Sequence, residues 1–171
     1  MHVLFICTGN LCRSPIAERF ALAHAKRLAV RGLRVSSAGT RAVVGRPMNP
    51  DSASVLEELG GDATGFAARQ LTKRILADAD LVVAMERRHR DAVLELSPTH
   101  LHRTFTLHEI ECLVTRFGVQ RTEELSPLRS HIRESEGGHD VPDPMGRGHE
   151  IHRIVGERIA TSLVSVFHLF Q

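Results

Sequence analysis

Val3-Leu4-Phe5-Ile6-Cys7-Thr8-Gly9-Asn10-Leu11-Cys12-Arg13-Ser14-Pro15 is the stretch that decides how this chain is read. It opens on an unbroken apolar run, Val3 to Ile6, and the helix-like Ile16-Ala17-Glu18 follows it. The order is therefore buried strand, tight loop and helix N-terminus. Cys7 opens the loop and Arg13 closes it. The first backbone N–H groups of a helix lack intrahelical partners, and the aligned peptide dipoles add partial positive charge there. Successive loop N–H groups form an anion cradle, with Gly9 expected to allow the sharp turn. The cradle suits phosphate, held by Thr8, Gly9, Asn10, Leu11, Cys12, Arg13 and Ser14, with the planar fork of Arg13 on two oxygens. Positive surroundings favour a nucleophilic thiolate at Cys7, to which Ser14 is available as a hydroxyl donor.

Outward from the loop, helices and strands alternate. Ile16, Phe20, Ala23 and Leu28 recur near helical spacing over 16–30, leaving Glu18, Arg19, Lys26 and Arg27 for a wet face. Gly32 is expected to end that helix. A second strand spans 34–38 and a Gly- and Pro-containing loop 39–50. Asp51 is expected to cap a helix over 52–59, and Thr72 a short one over Lys73–Ala77. The apolar run 81–85 reads as a third buried strand. Arg87–Leu96 reads as a helix, with Arg87-Arg88-His89-Arg90 as a solvated face. A fourth strand is expected at 104–107 and a helix at 108–117, with Cys112 in the core. The segment 120–140 is polar and reads as a partly helical surface excursion. Ile151, Ile154, Val155, Ile159, Leu163, Val166 and Phe167 define a last helix. The fold class is α/β: one domain over 1–171, in three αβα layers around a parallel sheet of about four strands. Ligands in such sheets sit outside the C-terminal ends of the strands, where Cys7 lies.

Composition narrows the function classes. The 171 residues are 42% apolar and 25% charged, an ordinary soluble balance. Lys plus Arg number 22 against 20 Asp plus Glu, a near-even balance that points away from nucleic acid and acidic membranes. No stretch approaches the roughly 20 apolar residues of a membrane helix, and no signal peptide is visible. Three cysteines build no disulfide framework, so a reduced, cytoplasmic protein is expected. The histidine pairs His100/His102 and His149/His152, with His108, complete no metal-ligand set, and no metal site is expected. Tyr and Trp are absent.

The loop resembles the phosphate-binding loop of the low-molecular-weight protein tyrosine phosphatases, matching its Cys-x-Gly-Asn-x-Cys-Arg-Ser-Pro pattern from Cys7 to Pro15. Ser37-Ala38-Gly39-Thr40, Ala68-Arg69-Gln70-Leu71-Thr72 and Met85-Glu86 are similar to further segments of that family. The resemblance covers about residues 3–117 and 140–168, with a longer stretch between than is usual. It implies a cysteinyl-phosphate on Cys7, support of Asn10 by Ser37, and a phosphotyrosine-containing protein as substrate. A tyrosine leaving group, with a hydroxyl pKa of about 10, needs a proton. Asp143, stiffened between Pro142 and Pro144 just before the last helix, is the candidate. The resemblance implies that Asp143 is the general acid and base. It also makes Cys12 a reversible disulfide partner of the nucleophile, with a merely packed thiol as the alternative. No cofactor, nucleic acid or membrane partner is implied, and a monomer is expected.

The departures concern the walls of the site. Val43-Val44 and Met145-Gly146 stand where many members carry aromatic residues, and Phe66 where some have a histidine. These put phosphotyrosine preference in question while leaving the phosphate chemistry intact. Three alternatives remain: a protein-arginine phosphatase, an arsenate reductase of related fold, or a non-catalytic phosphoprotein-binding module. Apolar Leu11 disfavours a guanidinium substrate. The absence of cysteine between residues 60 and 100 disfavours the reductase, and a binding module would normally have lost the nucleophile or the acid.

Overall fold

Val3, Phe5 and Cys7 project to one side of the first strand and Leu4 and Ile6 to the other, and both sets are buried. A strand apolar on both faces must lie between two layers of helices. The computed structural model describes residues 1–132 and 140–171, and within them β1 (His2–Cys7) is such a strand. It pairs in parallel with β2 (Arg34–Gly39) on one side and β3 (Leu81–Ala84) on the other, and β4 (Thr104–Thr106) pairs in parallel with β3. The spatial order is β2-β1-β3-β4, as the alternating pattern requires. Cys7 lies opposite Gly39, and Ile6 opposite Ala84, so three strands end level with the loop.

On the face of Phe5 lie α1 (Arg13–Arg27), α2 (Pro50–Glu58), α5 (Leu107–Phe117) and α7 (His149–Val166). On the face of Leu4 lie α3 (Lys73–Ala77) and α4 (Arg87–Leu96). The last helix packs on α1, α2 and α5. Gly156 permits the α2–α7 contact: a Cβ there would stand 2.5 Å from Val55 Cγ1.

The boundaries differ from expectation in instructive ways. Helix α1 starts at Arg13, so the loop's arginine is already helical, and the chain reverses at Ala29 (φ 55°) rather than at Gly32. Leu28 lies past the helix end and is 50% exposed, while Ala21 and Ala25 are buried instead. Glu18 turns inward to accept a hydrogen bond from Ser37. Helix α2 is capped by Asn49, not Asp51: Asn49 Oδ1 accepts from the N–H groups of Asp51 (3.0 Å) and Ser52 (3.3 Å). Pro50 occupies the first helical position, where its missing N–H is harmless. Strand β4 stops at Thr106, which forms a reciprocal capping box with Glu109 at the start of α5. Ile154 lies on the outer side of α7, half exposed.

The segment after α5 is partly helical, as expected, but not wholly at the surface. A short helix, α6 (Leu125–Leu128), buries Leu125, and the Arg129 guanidinium stacks 3.9 Å over the Phe105 ring. Gly137-Gly138 lie outside the described residues.

Candidate active site

The loop after β1 is held in shape by one buried side chain. Asn10, not Gly9, adopts the left-handed conformation (φ 56°) that turns the chain. Asparagine tolerates this region better than most residues, and here hydrogen bonds fix it. Its Nδ2 donates to Ser37 Oγ (2.8 Å) and Ser14 Oγ (3.0 Å), and its Oδ1 accepts from the Arg69 N–H (2.9 Å). Ser37 in turn donates to Glu18 Oε2 at 2.6 Å. Burial pushes the Glu18 carboxyl up, against the lowering effect of that hydrogen bond. Space does not require glycine at position 9: a Cβ there would meet only Leu11 Cγ, at 3.9 Å.

The chain after β2 is laced to the same loop. Thr40, Arg41 and Val43 donate their N–H groups to the carbonyls of Cys7, Thr8 and Gly9, at 2.9, 3.0 and 3.1 Å. The approach is so close that a Cβ on Gly39 would lie 2.4 Å from the Thr8 carbonyl oxygen. Buried Cys7 places Sγ 2.9 Å from Ser14 Oγ. No side chain caps the first turn of α1, Pro15 lacks an N–H, and the Ile16 N–H donates to the Cys12 carbonyl at 3.1 Å.

Charged groups converge behind and beside the thiol. Arg13 is 1% exposed. Its Nη1 donates to Glu86 and to the Val141 carbonyl (2.9 Å), and its Nη2 lies 2.9 Å from Asp143 Oδ2. Nε is buried with no protein partner. Burial alone would raise the Glu86 carboxyl, but hydrogen bonds from Arg13 and Arg88 outweigh it and hold the group below its usual range. Asp143 is brought in by its own loop, where the Val141 N–H donates to the Met85 carbonyl (2.9 Å), and Arg88 Nη2 stands 4.0 Å away.

Arg87-Arg88-His89-Arg90 is thus no uniform solvated face. His89 is buried and its Nε2 meets Thr8 Oγ1 at 2.8 Å. Burial, reinforced by Arg13, pushes the imidazole down to about 4, so it is neutral at pH 7. Arg90 pairs with Glu109 and Arg87 with Asp140. Sequence reasoning assigned no role to Glu86, His89, Glu18 or Arg41. Glu86 had a signal, its position directly after the third strand's apolar run.

Cys7, Thr8, Gly9, Cys12 and Arg13 line a cavity of about 330 Å3, with aliphatic walls from Leu11, Val43 and Met145, and Arg41 and Asp143 complete its lining. A larger cavity of about 670 Å3 opens at the opposite ends of the strands, beside Met1, Asp80 and Arg103, but contains no cysteine and none of the loop's donors. Burial pushes the Cys12 thiol up to about 11, against a hydrogen bond from Ser52, so it is a protonated neighbour of Cys7. Phe66 is buried under the Arg19 guanidinium, 5.6 Å from the ring centroid. Among the described residues, no cluster of three or more His, Cys, Asp or Glu is arranged to hold a metal ion.

Residues 2–114 match the family model described as low molecular weight phosphotyrosine protein phosphatase. The chain is 37% identical over 97 residues to the low molecular weight protein-tyrosine-phosphatase Wzb of Escherichia coli K12, covering 57% of this chain and 63% of that one. It therefore spans less than two thirds of the length of that relative. Its backbone is similar to the crystal structure of the low molecular weight protein tyrosine phosphatase from T. tengcongensis, with TM-score 0.79 and 30% identity over 98% of this chain and 97% of that one. It is also similar to the YwlE arginine phosphatase from Geobacillus stearothermophilus, with TM-score 0.74 and 28% identity over 96% and 89%. The family match ends before Asp143, which the structure places 2.9 Å from Arg13.

Proposed function

Because the chain belongs to the low molecular weight phosphotyrosine protein phosphatase family, we propose that it hydrolyses phosphotyrosine in proteins through a cysteinyl-phosphate on Cys7. Residues 1–171 are taken as one phosphatase domain, monomeric and cytoplasmic. No helix among the described residues is long and apolar enough to cross a membrane.

The observation that carries the reading is Arg13 Nε, a buried donor without a protein partner on a side chain whose other nitrogens are engaged. A buried N–H left alone is unfavourable, and a phosphate oxygen satisfies it with a charge-assisted bond. In the first step Cys7 Sγ attacks phosphorus, and the bond from phosphorus to the tyrosyl oxygen breaks. The N–H groups of Thr8 to Arg13 and the guanidinium hold the equatorial oxygens as charge redistributes. Asp143 gives its proton to the departing oxygen. In the second step Asp143 takes a proton from water, water oxygen bonds to phosphorus, and the S–P bond breaks to return the thiolate. Ser14 Oγ–H donates to that thiolate across 2.9 Å. The neutral His89 holds Thr8 from behind without adding charge. The positive groups required are all in the chain, so the reading calls for no metal ion or organic cofactor.

Phosphoarginine is the second candidate, favoured by the likeness to YwlE. Leu11 weighs against it, since a guanidinium would meet apolar surface where it needs acceptors. Turnover of phosphotyrosine, phosphoserine and phosphoarginine peptides by the wild type and by Cys7→Ser tests the choice. Phosphotyrosine turnover that vanishes in Cys7→Ser is expected. A phosphoarginine preference, or turnover that survives the substitution, would overturn the reading.

A further inference from the structure

Two arginines line the cavity, and they are in opposite states. Arg13 is buried, and its two Nη atoms are engaged by Glu86, Val141 and Asp143. Arg41 is exposed, and its side chain has no hydrogen bond or ion pair to any described residue. The neighbouring arginines on α4 differ from it, because Arg87, Arg88 and Arg90 each face a carboxylate of this chain.

The position of Arg41 is nevertheless fixed. Its N–H donates to the Thr8 carbonyl, and the flanking residues Thr40 and Val43 are tied to Cys7 and Gly9. The Cα is thus rigid relative to the nucleophile while the guanidinium is free to meet a ligand. Leu11, Val43 and Met145 carry no charge, and the cavity's one carboxylate, Asp143, is paired with Arg13 and Arg88 rather than with Arg41. A tyrosyl ring seated between those walls brings its own backbone to the mouth, so that the adjoining substrate residues come up against Arg41.

We infer that Arg41 makes the site selective for phosphotyrosine flanked by an acidic residue, with the guanidinium pairing a carboxylate of the substrate chain. This rests on the phosphatase reading above. A carboxylate is the natural partner of a planar guanidinium fork, and charge matching at a rim governs encounter more than final affinity. The rival role is stacking of Arg41 on the tyrosyl ring, which would aid every phosphotyrosine equally.

The test compares kcat/KM for phosphotyrosine peptides with Glu, Ala or Lys on either side of the phosphotyrosine, in the wild type, Arg41→Gln and Arg41→Glu. The wild type is expected to prefer Glu over Ala by about two- to fivefold at low salt, the range of an exposed ion pair. The preference should shrink as salt rises, vanish in Arg41→Gln and turn toward Lys in Arg41→Glu. Equal wild-type turnover of the three peptides, or an equal loss on all of them in Arg41→Gln, overturns the inference and leaves the phosphatase reading intact. No turnover of any phosphotyrosine peptide overturns both.

Discussion

Asp143 stands at the rim of the cavity within reach of both Arg13 and Arg88, and its carboxyl is 40% exposed. Asp143→Asn keeps the shape and removes the exchangeable proton. Turnover of phosphotyrosine is expected to fall about a hundredfold or more, with a smaller loss on an aryl phosphate whose phenol is already acidic. Steady-state kinetics on the two substrates read the difference. His89 gives a prediction in stability. Its imidazole titrates at about 4 in the fold against 6.5 for the free group, because burial and Arg13 oppose its charge. The unfolded chain therefore takes up the proton first as pH falls. The neutral imidazole's contribution is fully present above pH 6.5 and is lost between pH 6.5 and about 4, amounting to about 3 kcal/mol. Urea titrations across that window should show the wild type losing stability more steeply than His89→Gln.

At the scale of single elements, the N-terminus of α2 separates two carboxamide and carboxylate candidates two residues apart. Asn49→Ala should destabilise the fold by about 1 kcal/mol, while Asp51→Ala should stay within about 0.5 kcal/mol. Thermal or denaturant unfolding of the two variants decides it. The sequence already held the clue, since proline favours the first helical position and points to the residue before it as the cap. Strands β1 and β3 were legible because a strand buried on both faces is apolar throughout. The loop from Cys7 to Arg13 was legible because its chemistry is contiguous. What periodicity could not disclose is which residues of α4 face inward. Arg87, Arg88, His89 and Arg90 are alike in polarity, yet the loop bearing Thr8 lies against only one of them. Likewise Glu18 reads as a wet-face residue until β2 brings Ser37 alongside it.

For the whole molecule, two glycines mark where layers come too close for a side chain. Gly156→Ala would press a methyl against the flexible Val55 side chain between α7 and α2. It is expected to destabilise by about 1–3 kcal/mol with turnover little changed. Gly39→Ala would press against the Thr8 carbonyl of the loop after β1, which cannot rotate away as a side chain can. Both stability and kcat should fall there, and measuring the two quantities on both variants shows whether the sheet and the loop move as one body. The paired strand ends, Cys7 with Gly39 and Ile6 with Ala84, are the reason to expect that they do.

The contact between Arg13 and Asp143 has a consequence for how the protein lets go. The guanidinium already keeps a resident counter-ion, one supplied by its own chain. On the phosphatase reading proposed above, a phosphate reaching Nη2 as well as the free Nε would compete with that carboxylate, and on leaving would be replaced by it. Affinity for the free dianion is then a difference between two anions rather than the full strength of either. On that reading the site would act as an ion exchanger, and the residue setting how loosely it holds its product would be the one proposed to move the proton.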